Sequence, residues 1–307
     1  MSVSVGVDVS KATLDVAIHG AAATRCFPNT PAGHRRLIAW LQPQGTHQVV
    51  LEATGGYEHA ALDALQAAGL PVVRVNPRQA RDFARATGQL AKTDRLDARM
   101  LAQMAATLPL RLYQPAAAWQ RRLAEWSQRR GQLVTLLTGE RQRLRLLTEA
   151  PLRRSLQRHL AWLENEIAAL DREIAQQLEA QPVLATLRTL KGVGPVLTAT
   201  LASELPELGR LDRKAIAKLV GVAPLARDSG QWRGPRHVWG GRHAVRSALY
   251  MAALVGVRHE PRLRELYQRL RARGKAAKVA LVACMRKLLV ILNARMRDAL
   301  RENHAMA

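Results

Sequence analysis

The first residues of the chain alternate between valine and smaller or polar residues. Valines occupy every second position from Val3 to Val9, a period of two that predicts a β-strand. On this strand Asp8 lies on the face opposite the valines. Similar runs predict four more strands in the first third of the chain: residues 13–19 (TLDVAIH), a short one around RCFPN, QVVLEA and PVVRVN.

Helices are predicted between these strands. Residues 31–41 form one, a second runs from about Tyr57 to Ala68 and is capped by Gly69, and a third begins near Thr93. The resulting order, β-β-β-α-β-α-β-α, predicts a mixed sheet flanked by helices. This order matches the α/β ribonuclease H-like fold, in which catalytic acids lie at strand ends and on a late helix.

The middle of the chain has leucines at helical spacing. Residues 119–147 and 155–178 predict two long helices that pair as an antiparallel hairpin or coiled-coil arm. Two interpretations stay open, a structural spacer and a dimerisation arm whose Arg-rich face touches nucleic acid. Residues 187–208, with a glycine turn at 192–194, resemble a helix-hairpin-helix that could hold a phosphate. A glycine turn between packed helices is the alternative.

Residues 219–254 are rich in Gly, Pro and Arg, and then pass into an apolar helix. A flexible basic loop of this kind is typical of a phosphate-gripping element. Ser229 lies at its centre, although a Ser-Gly pair in a loop usually marks only a turn. Further basic helices are predicted from about 261 to 302. The arginines predicted to contact nucleic acid are Arg227, Arg233, Arg236, Arg242 and Arg246.

The net charge of +23 is unevenly distributed over the 307 residues. Residues 1–110 carry 11 Lys or Arg against 8 Asp or Glu, a net of +3, whereas residues 111–307 carry 36 against 16, a net of +20. A solvated surface would explain some excess, but one this large favours a polyanionic partner, with nucleic acid preferred over anionic lipid.

Several other classes of protein are excluded by sequence. No signal segment is recognisable at the start, and the longest apolar stretch near the C-terminus, ALYMAALVGV, is too short to cross a membrane. Cys26 and Cys284 have no metal-ligand or redox spacing, so both are expected to be reduced core residues. A cytoplasmic location is expected.

Four carboxylates stand out: Asp8, Glu52, Asp94 and Asp97. Singly, Asp8 could belong to a strand-end turn, Glu52 to the surface before a glycine turn, and Asp94 to a helix cap. Together these explanations weaken, because Asp8 would put a charge into a valine-rich sheet. A buried carboxylate is costly unless it is paired or binds a cation. Asp94 and Asp97 share one face of a helix and could reach the same metal site.

Read together, these segments resemble the Asp-Glu-Asp-Asp transposase family of bacterial insertion sequences, the insertion-sequence 110 group that includes the Piv-type DNA invertases. The matching segments occur in the family's order: GVDVSK, LEATGGYE, KTDRLDA, GVAPLARDSGQWRG and GGRHAVRSALYMAA. The part between Gly240 and Arg246 is a looser match.

The resemblance implies three parts: a RuvC-like catalytic domain at 1–110, a coiled-coil helical arm at 111–182, and a basic, mainly α transposase domain with a serine loop at 183–307. It implies that Asp8, Glu52, Asp94 and Asp97 bind Mg²⁺ and that Ser229 is the nucleophile. It further implies donor and target DNA, an element-encoded noncoding guide RNA, and a homo-oligomer, a dimer or tetramer, whose site could be assembled between protomers.

Three other functions compete with this one. A metal-dependent nuclease or junction resolvase would use water as the nucleophile and leave Ser229 as a turn residue. A non-catalytic nucleic-acid-binding protein would not need the four acids, and a coiled-coil scaffold would leave them unexplained. The sequence therefore favours a recombinase that excises and inserts a mobile element.

Overall fold

A computed structural model describes residues 3–89 and 93–305. The chain forms two compact units, residues 1–115 and 116–307. The first is a mixed α/β unit and the second is mainly helical. The predicted division into three parts, at 110/111 and 182/183, stays a prediction.

A five-stranded sheet forms the centre of the first unit, in the order β3-β2-β1-β4-β5. β1 pairs antiparallel with β2, which pairs antiparallel with β3, while β1–β4 and β4–β5 are parallel. The sheet is therefore mixed, as predicted. Its strands are β1 (Val3–Val9), β2 (Thr13–Ile18), β3 (Thr24–Pro28), β4 (Thr46–Glu52) and β5 (Val72–Val75).

Four helices accompany these strands: α1 (Pro31–Leu41), α2 (His59–Ala67), α3 (Pro77–Ala86) and α4 (Asp94–Thr107). The predicted helices correspond to α1, α2 and α4. Helix α3 was not predicted from the sequence. It begins directly after β5, with Asn76 as its N-cap and Pro77 at its first position.

The valine face of β1 forms the larger core of this unit. Val5, Val7 and Val9 pack with apolar residues from α1 and α2, including Leu37 and Leu62. The opposite face carries smaller side chains, because β1 places Ser4, Gly6 and Asp8 there. Helix α4 packs over this second face.

Gly6 sets the distance between β1 and α4. A Cβ atom at this position would overlap the backbone of α4, at the carbonyl oxygen of Ala98 and the amide nitrogen of Ala102. Ala98 and Ala102 are themselves buried beside Ala17 of β2. Where α4 crosses β1 and β2, the side chains are therefore small and the backbones of α4 and β1 come into contact.

The second unit begins with two long helices, α5 (Ala118–Leu144) and α6 (Ala150–Glu179). They are antiparallel, because Arg130 pairs with Asp171 and Arg141 with Glu164. Buried leucines of both helices form the seam between them. The two predicted long helices are confirmed, while coiled-coil packing stays a prediction.

The remaining helices of the second unit share one apolar core with the start of α5 and the end of α6. A 3₁₀ segment (Pro182–Thr189) precedes the glycine turn, and Gly192 lies against the backbone of Ala252 and Gly256. The helix-hairpin-helix stays a prediction. The helices are α7 (Pro195–Glu204), α8 (Arg213–Val220), α9 (His243–His259), α10 (Pro261–Ala272) and α11 (Ala277–Ala305).

The two cysteines differ from the expectation that both are in the core. Cys284 is buried, but Cys26 is exposed. Cys26 lies on β3, directly opposite Asp15 of β2. The strand β3 is at the edge of the sheet, and the expectation for Cys26 was wrong because one face of an edge strand need not be covered. Among the described residues, no helix is long and apolar enough to cross a membrane.

Replacing Gly6 with alanine is expected to push α4 away from the sheet. The added methyl group meets backbone atoms, which cannot rotate aside, so the free energy of unfolding should fall by about 2–3 kcal/mol. Urea unfolding measures this change. The control is Gly131→Ala in α5, where the new methyl group meets nothing within 4 Å and should stabilise the helix by about 0.5–1 kcal/mol. Equal effects of the two substitutions would contradict the close approach.

Candidate active site

Two of the four predicted carboxylates lie at the ends of neighbouring strands. Asp8 is the last residue but one of β1, and Glu52 is the last residue of β4. These strands are parallel, with Gly6 opposite Val50. Asp8 and Glu52 each come two residues after this pair, so they are neighbours in adjacent strands. They lie on the same face of the sheet as Gly6 and Val50, since side chains two residues apart along a strand share a face.

The other two carboxylates are in the first turn of α4. Asp94 and Asp97 both occur there, and Thr93 is the N-cap, its hydroxyl accepting a hydrogen bond from the Leu96 N–H at 3.3 Å. Capping is therefore done by Thr93, so the alternative role proposed for Asp94 is not needed. Negative charge in a first helical turn is also favoured by the helix dipole.

The charges of the other predicted acids affect the pKa of Asp8. It is raised to about 6, first by burial and then by the charges of Asp97, Asp94 and Glu52. All three other predicted acids therefore act on this one carboxyl group. The other three therefore lie near enough to Asp8 for their charges to affect it, at the carboxyl ends of β1 and β4.

A fifth carboxylate belongs to the same neighbourhood. Asp15 of β2 lies directly opposite Asp8 in the antiparallel pair, and its charge also raises the pKa of Asp8. Like charges opposite each other weaken a sheet. Asp15 is not among the residues predicted from sequence, although the alternation in TLDVAIH places it on the same face as Asp8 once the two strands are paired.

The chemistry of this donor set fits a hard divalent cation. All the side chains are carboxylates, the ligands preferred by Mg²⁺, and a cation would offset the repulsion that raises the pKa of Asp8. Within the ranges 3–89 and 93–305, no three of the Asp, Glu, His or Cys side chains are arranged to bind one ion together. Binding of one ion by three of these carboxylates would require them to come closer together.

The loop after Glu52 is held by a buried carboxylate, Glu58, which is only 2% exposed. Its Oε2 atom accepts hydrogen bonds from the Gly56 N–H at 2.8 Å and from both the N–H and the hydroxyl of Thr54 at 3.1 Å. Gly55 and Gly56 have φ values of 77° and 124°, which favour glycine.

The surroundings of Glu58 stabilise its ionised form. Burial disfavours the ionised form of Glu58, but hydrogen bonds from the backbone N–H groups of Glu58, Gly56 and Thr54 outweigh it, and its pKa lies below the usual range. Arg74 of β5 approaches to 3.7 Å. Glu58 therefore fixes the two-glycine loop that leaves the strand carrying Glu52. This role of Glu58 was not predicted from sequence, although the only local signal for it is a Glu two residues after a Gly-Gly pair.

Ser229 lies in a short hairpin of the second unit. Strand β6 (Asp228–Ser229) pairs with β7 (Trp232–Arg233), and Ser229 is opposite Trp232. Gly230, in the turn, has a φ of 53°. The segment predicted as a flexible loop thus contains a β-hairpin, which a bridge between Leu225 and His237 extends. Ser229 itself is exposed.

Most of the predicted nucleic-acid-binding arginines have partners inside the second unit. Asp228 pairs with Arg233 at 3.4 Å and with Arg236 at 2.9 Å. Arg242 binds both carboxylate oxygens of Glu207, at 2.6 and 2.7 Å.

The other two arginines differ from each other. Arg246 donates to the carbonyl oxygen of Gly240, while Arg227 is exposed and has no ion pair with any described residue. The prediction of these residues rests on charge alone, and charge alone does not reveal the acids that neutralise several of them. Their contact with nucleic acid stays a prediction.

The chain is similar to known proteins in both of its compact units. A family model described as a transposase matches residues 5–150, and a second, described as the transposase IS116/IS110/IS902 family, matches residues 184–268. The chain is 28% identical to the pilin gene-inverting proteins of Moraxella bovis and Moraxella lacunata, over 96% of this chain and 95% of each relative. It is also 30% identical to the insertion element IS110 uncharacterized 43.6 kDa protein of Streptomyces coelicolor, over 47% of this chain and 36% of that protein.

Replacing Asp8 with asparagine is expected to stabilise the protein in a chelator at pH 7.5. A carboxyl group with a raised pKa stabilises the fold below its unfolded pKa and loses that contribution as pH rises through about 6. After discounting for partial exposure, Asp8→Asn should increase the free energy of unfolding by about 1–2 kcal/mol. The gain should shrink as the pH falls toward 4.

Urea unfolding between pH 4 and 8 checks this expectation. The control is Asp82→Asn on α3, where the carboxylate is exposed and only 4.0 Å from Arg85, so little change is expected at any pH. A loss of stability in Asp8→Asn at pH 7.5 would show that the carboxylate cluster is not repulsive.

Replacing Glu58 with glutamine is expected to loosen the loop after Glu52. The substitution removes a buried charge that accepts three hydrogen bonds, so the free energy of unfolding should fall by about 1–3 kcal/mol at pH 7. Because the pKa of Glu58 is lowered, its contribution is present above its unfolded pKa and is lost on acidification. The difference from wild type should therefore shrink below pH 4.

Amide hydrogen exchange gives the local measurement for this substitution. The N–H groups of Thr54 and Gly56 should exchange faster in Glu58→Gln. In the control, Glu164→Gln, an exposed ion pair of α6 is removed, and exchange at these two amides should be unchanged. Unaltered protection in Glu58→Gln would rule out the anchoring role.

Proposed function

The chain belongs to the transposase IS116/IS110/IS902 family and is a transposase or site-specific recombinase; we propose that it excises and inserts a mobile element by means of a carboxylate cluster and a serine nucleophile. The observation that supports this most is the arrangement of Glu52, Asp94 and Asp97 around Asp8. The family model that matches residues 5–150 covers all four.

These four carboxylates would hold Mg²⁺. When bound, the ion would polarise the target phosphate and stabilise the oxygen that leaves it. The chain's own part is to place the ligands: β1 and β4 present Asp8 and Glu52 from adjacent strands, and α4 supplies the other two from its first turn. Glu58 keeps the loop beyond Glu52 in one conformation.

Ser229 would attack the phosphorus of a DNA strand. Its Oγ atom would give up its proton and form a bond to phosphorus, while one bridging oxygen of the DNA would leave and take up a proton. The strand would remain linked to the protein as a phosphoserine ester. Reversal on another strand end rejoins DNA without ATP, because the ester conserves the energy of the phosphodiester. A serine hydroxyl is a weak nucleophile at its free pKa and needs activation, for example by a bound metal ion.

The surroundings of Ser229 support this role over that of a turn residue. Ser229 is exposed beside the turn of a paired hairpin, where a DNA strand can reach it. Arg233 and Arg236 are 81% and 46% exposed, although both contact Asp228. A guanidinium group is well suited to bidentate phosphate contact.

We further propose that the partners are donor and target DNA together with a noncoding guide RNA. The +20 charge of residues 111–307 is large enough to serve more than one polyanion. The helical hairpin of α5 and α6 would act as a coiled-coil arm in a dimer or tetramer, and the glycine turn before α7 would act as a helix-hairpin-helix phosphate contact.

Replacing Ser229 with alanine is expected to abolish the covalent DNA–protein adduct and strand exchange. Because the reaction would lose its nucleophile, the rate should fall by at least about a thousandfold. The measurement uses labelled DNA carrying element ends with Mg²⁺, and adducts are detected by denaturing electrophoresis. The control is Ser155→Ala, an exposed serine of α6, which should form adducts at the wild-type rate.

A second substitution separates the serine mechanism from hydrolysis. Asp97→Asn removes a carboxylate of the cluster and should stop cleavage by either nucleophile. Full cleavage by Ser229→Ala, with loss of cleavage in Asp97→Asn, would contradict the serine role and indicate a nuclease that uses water.

A further inference from the structure

A cleft between α8 and α11 has an unusual concentration of positive charge. It has a volume of about 290 Å³, and its lining includes four cationic side chains with two apolar residues, Ala283 and Val290, between them. The cationic residues are Arg213 and Lys214 on α8, and Arg286 and Lys287 on α11. We call it the α8–α11 cleft.

The α11 side of the cleft is one continuous face of a helix. Ala283, Arg286, Lys287 and Val290 are spaced i, i+3, i+4 and i+7, so all four lie on the same side. Residues next to them in sequence, such as Leu288 and Leu289, face the apolar core and are buried. The core therefore fixes the orientation of α11 and holds Arg286 and Lys287 toward the cleft.

The cations of the cleft have few negative neighbours. In the described part of the chain, neither Arg286 nor Lys287 forms an ion pair, and neither does Arg213. The nearby carboxylate is that of Asp212, whose Oδ1 accepts hydrogen bonds from the N–H groups of Lys214 at 2.6 Å and Ala215 at 2.9 Å. Its charge interacts with Lys214, while its oxygen is used to cap α8.

This is the opposite of the situation beside Ser229. There Arg242 is held by Glu207, and Arg233 and Arg236 are held by Asp228. An arginine that already binds a carboxylate loses that partner when it binds a phosphate, whereas an unpaired cation gains a phosphate without this loss. Nucleic-acid binding through phosphate contacts alone is therefore expected to involve the cations of the cleft more than Arg233, Arg236 and Arg242.

We infer that the α8–α11 cleft binds the phosphodiester backbone of a nucleic acid without regard to base sequence. Four cations around an open cleft match a run of successive phosphates, and the apolar residues between them can contact sugars. The inference rests on the proposed function in taking nucleic acid as the ligand. It adds a backbone contact that lies outside both the carboxylate cluster and the serine hairpin.

The test measures the salt dependence of binding in a chelator, so that no strand is cut. Wild-type protein, Arg286→Gln/Lys287→Gln and Arg213→Gln/Lys214→Gln are titrated with a duplex DNA and with a hairpin RNA of equal length. The logarithm of the binding constant falls linearly with the logarithm of salt concentration, with a slope of about −0.9 per phosphate contact. Each double variant should weaken binding and reduce the slope by about 2 in magnitude.

The control is Arg35→Gln/Arg36→Gln, which removes the same charge from exposed positions of α1 in the first unit and should leave the slope unchanged. Circular dichroism and thermal unfolding verify that each variant is folded. A smaller slope with DNA or with RNA supports the inference and identifies which of the two occupies the cleft.

Three outcomes would overturn the inference: unchanged slopes with both ligands, an effect from only one wall of the cleft, or an equal effect from the control. Failure of the proposed function and failure of this inference give different experimental results. A protein that forms no adduct through Ser229 can still show the binding result, and a protein with full recombination activity can still lack it.

Discussion

The contact between α4 and Gly6 is the constraint on which the carboxylate cluster depends. Since a Cβ at position 6 would overlap the helix backbone, only glycine lets α4 lie directly on β1. Asp8 is two residues further along the same face, so the first turn of α4 comes beside it. A residue without a side chain thereby determines where two of the four acids lie.

The carboxylate cluster around Asp8 lowers the stability of the first unit. Burial and neighbouring charges raise the pKa of Asp8, which means that the fold holds its ionised form unfavourably. Glu58, a few residues beyond Glu52, shows the reverse: its charge is matched by backbone N–H groups and stabilises the loop. A cation bound among these carboxylates would relieve the repulsion at Asp8.

Much of the first unit could be predicted because β1 and β2 alternate in polarity, while β4 and β5 are short valine-containing runs bounded by Gly or Pro. The valines from 3 to 9 fix the face of Asp8, and the i, i+3 spacing of Asp94 and Asp97 fixes their common side. Asp15 and Glu58 were missed because their roles depend on strand pairing and on loop hydrogen bonds, which no local pattern contains. The pairing of Asp228 and Glu207 with nearby arginines was missed for the same reason, since charge counting does not show which charges meet.

The parallel pairing of β1 with β4 also affects when activity can arise. Asp8 and Glu52 are adjacent in the sheet but far apart in sequence, and α4 follows later still. Contacts between distant segments form late in folding, because long loops must close first. A chain still being synthesised, or one in which α4 has detached from the sheet, lacks the assembled cluster. On the proposed function, the carboxylate site therefore cannot form until α4 has been synthesised and has packed on the sheet.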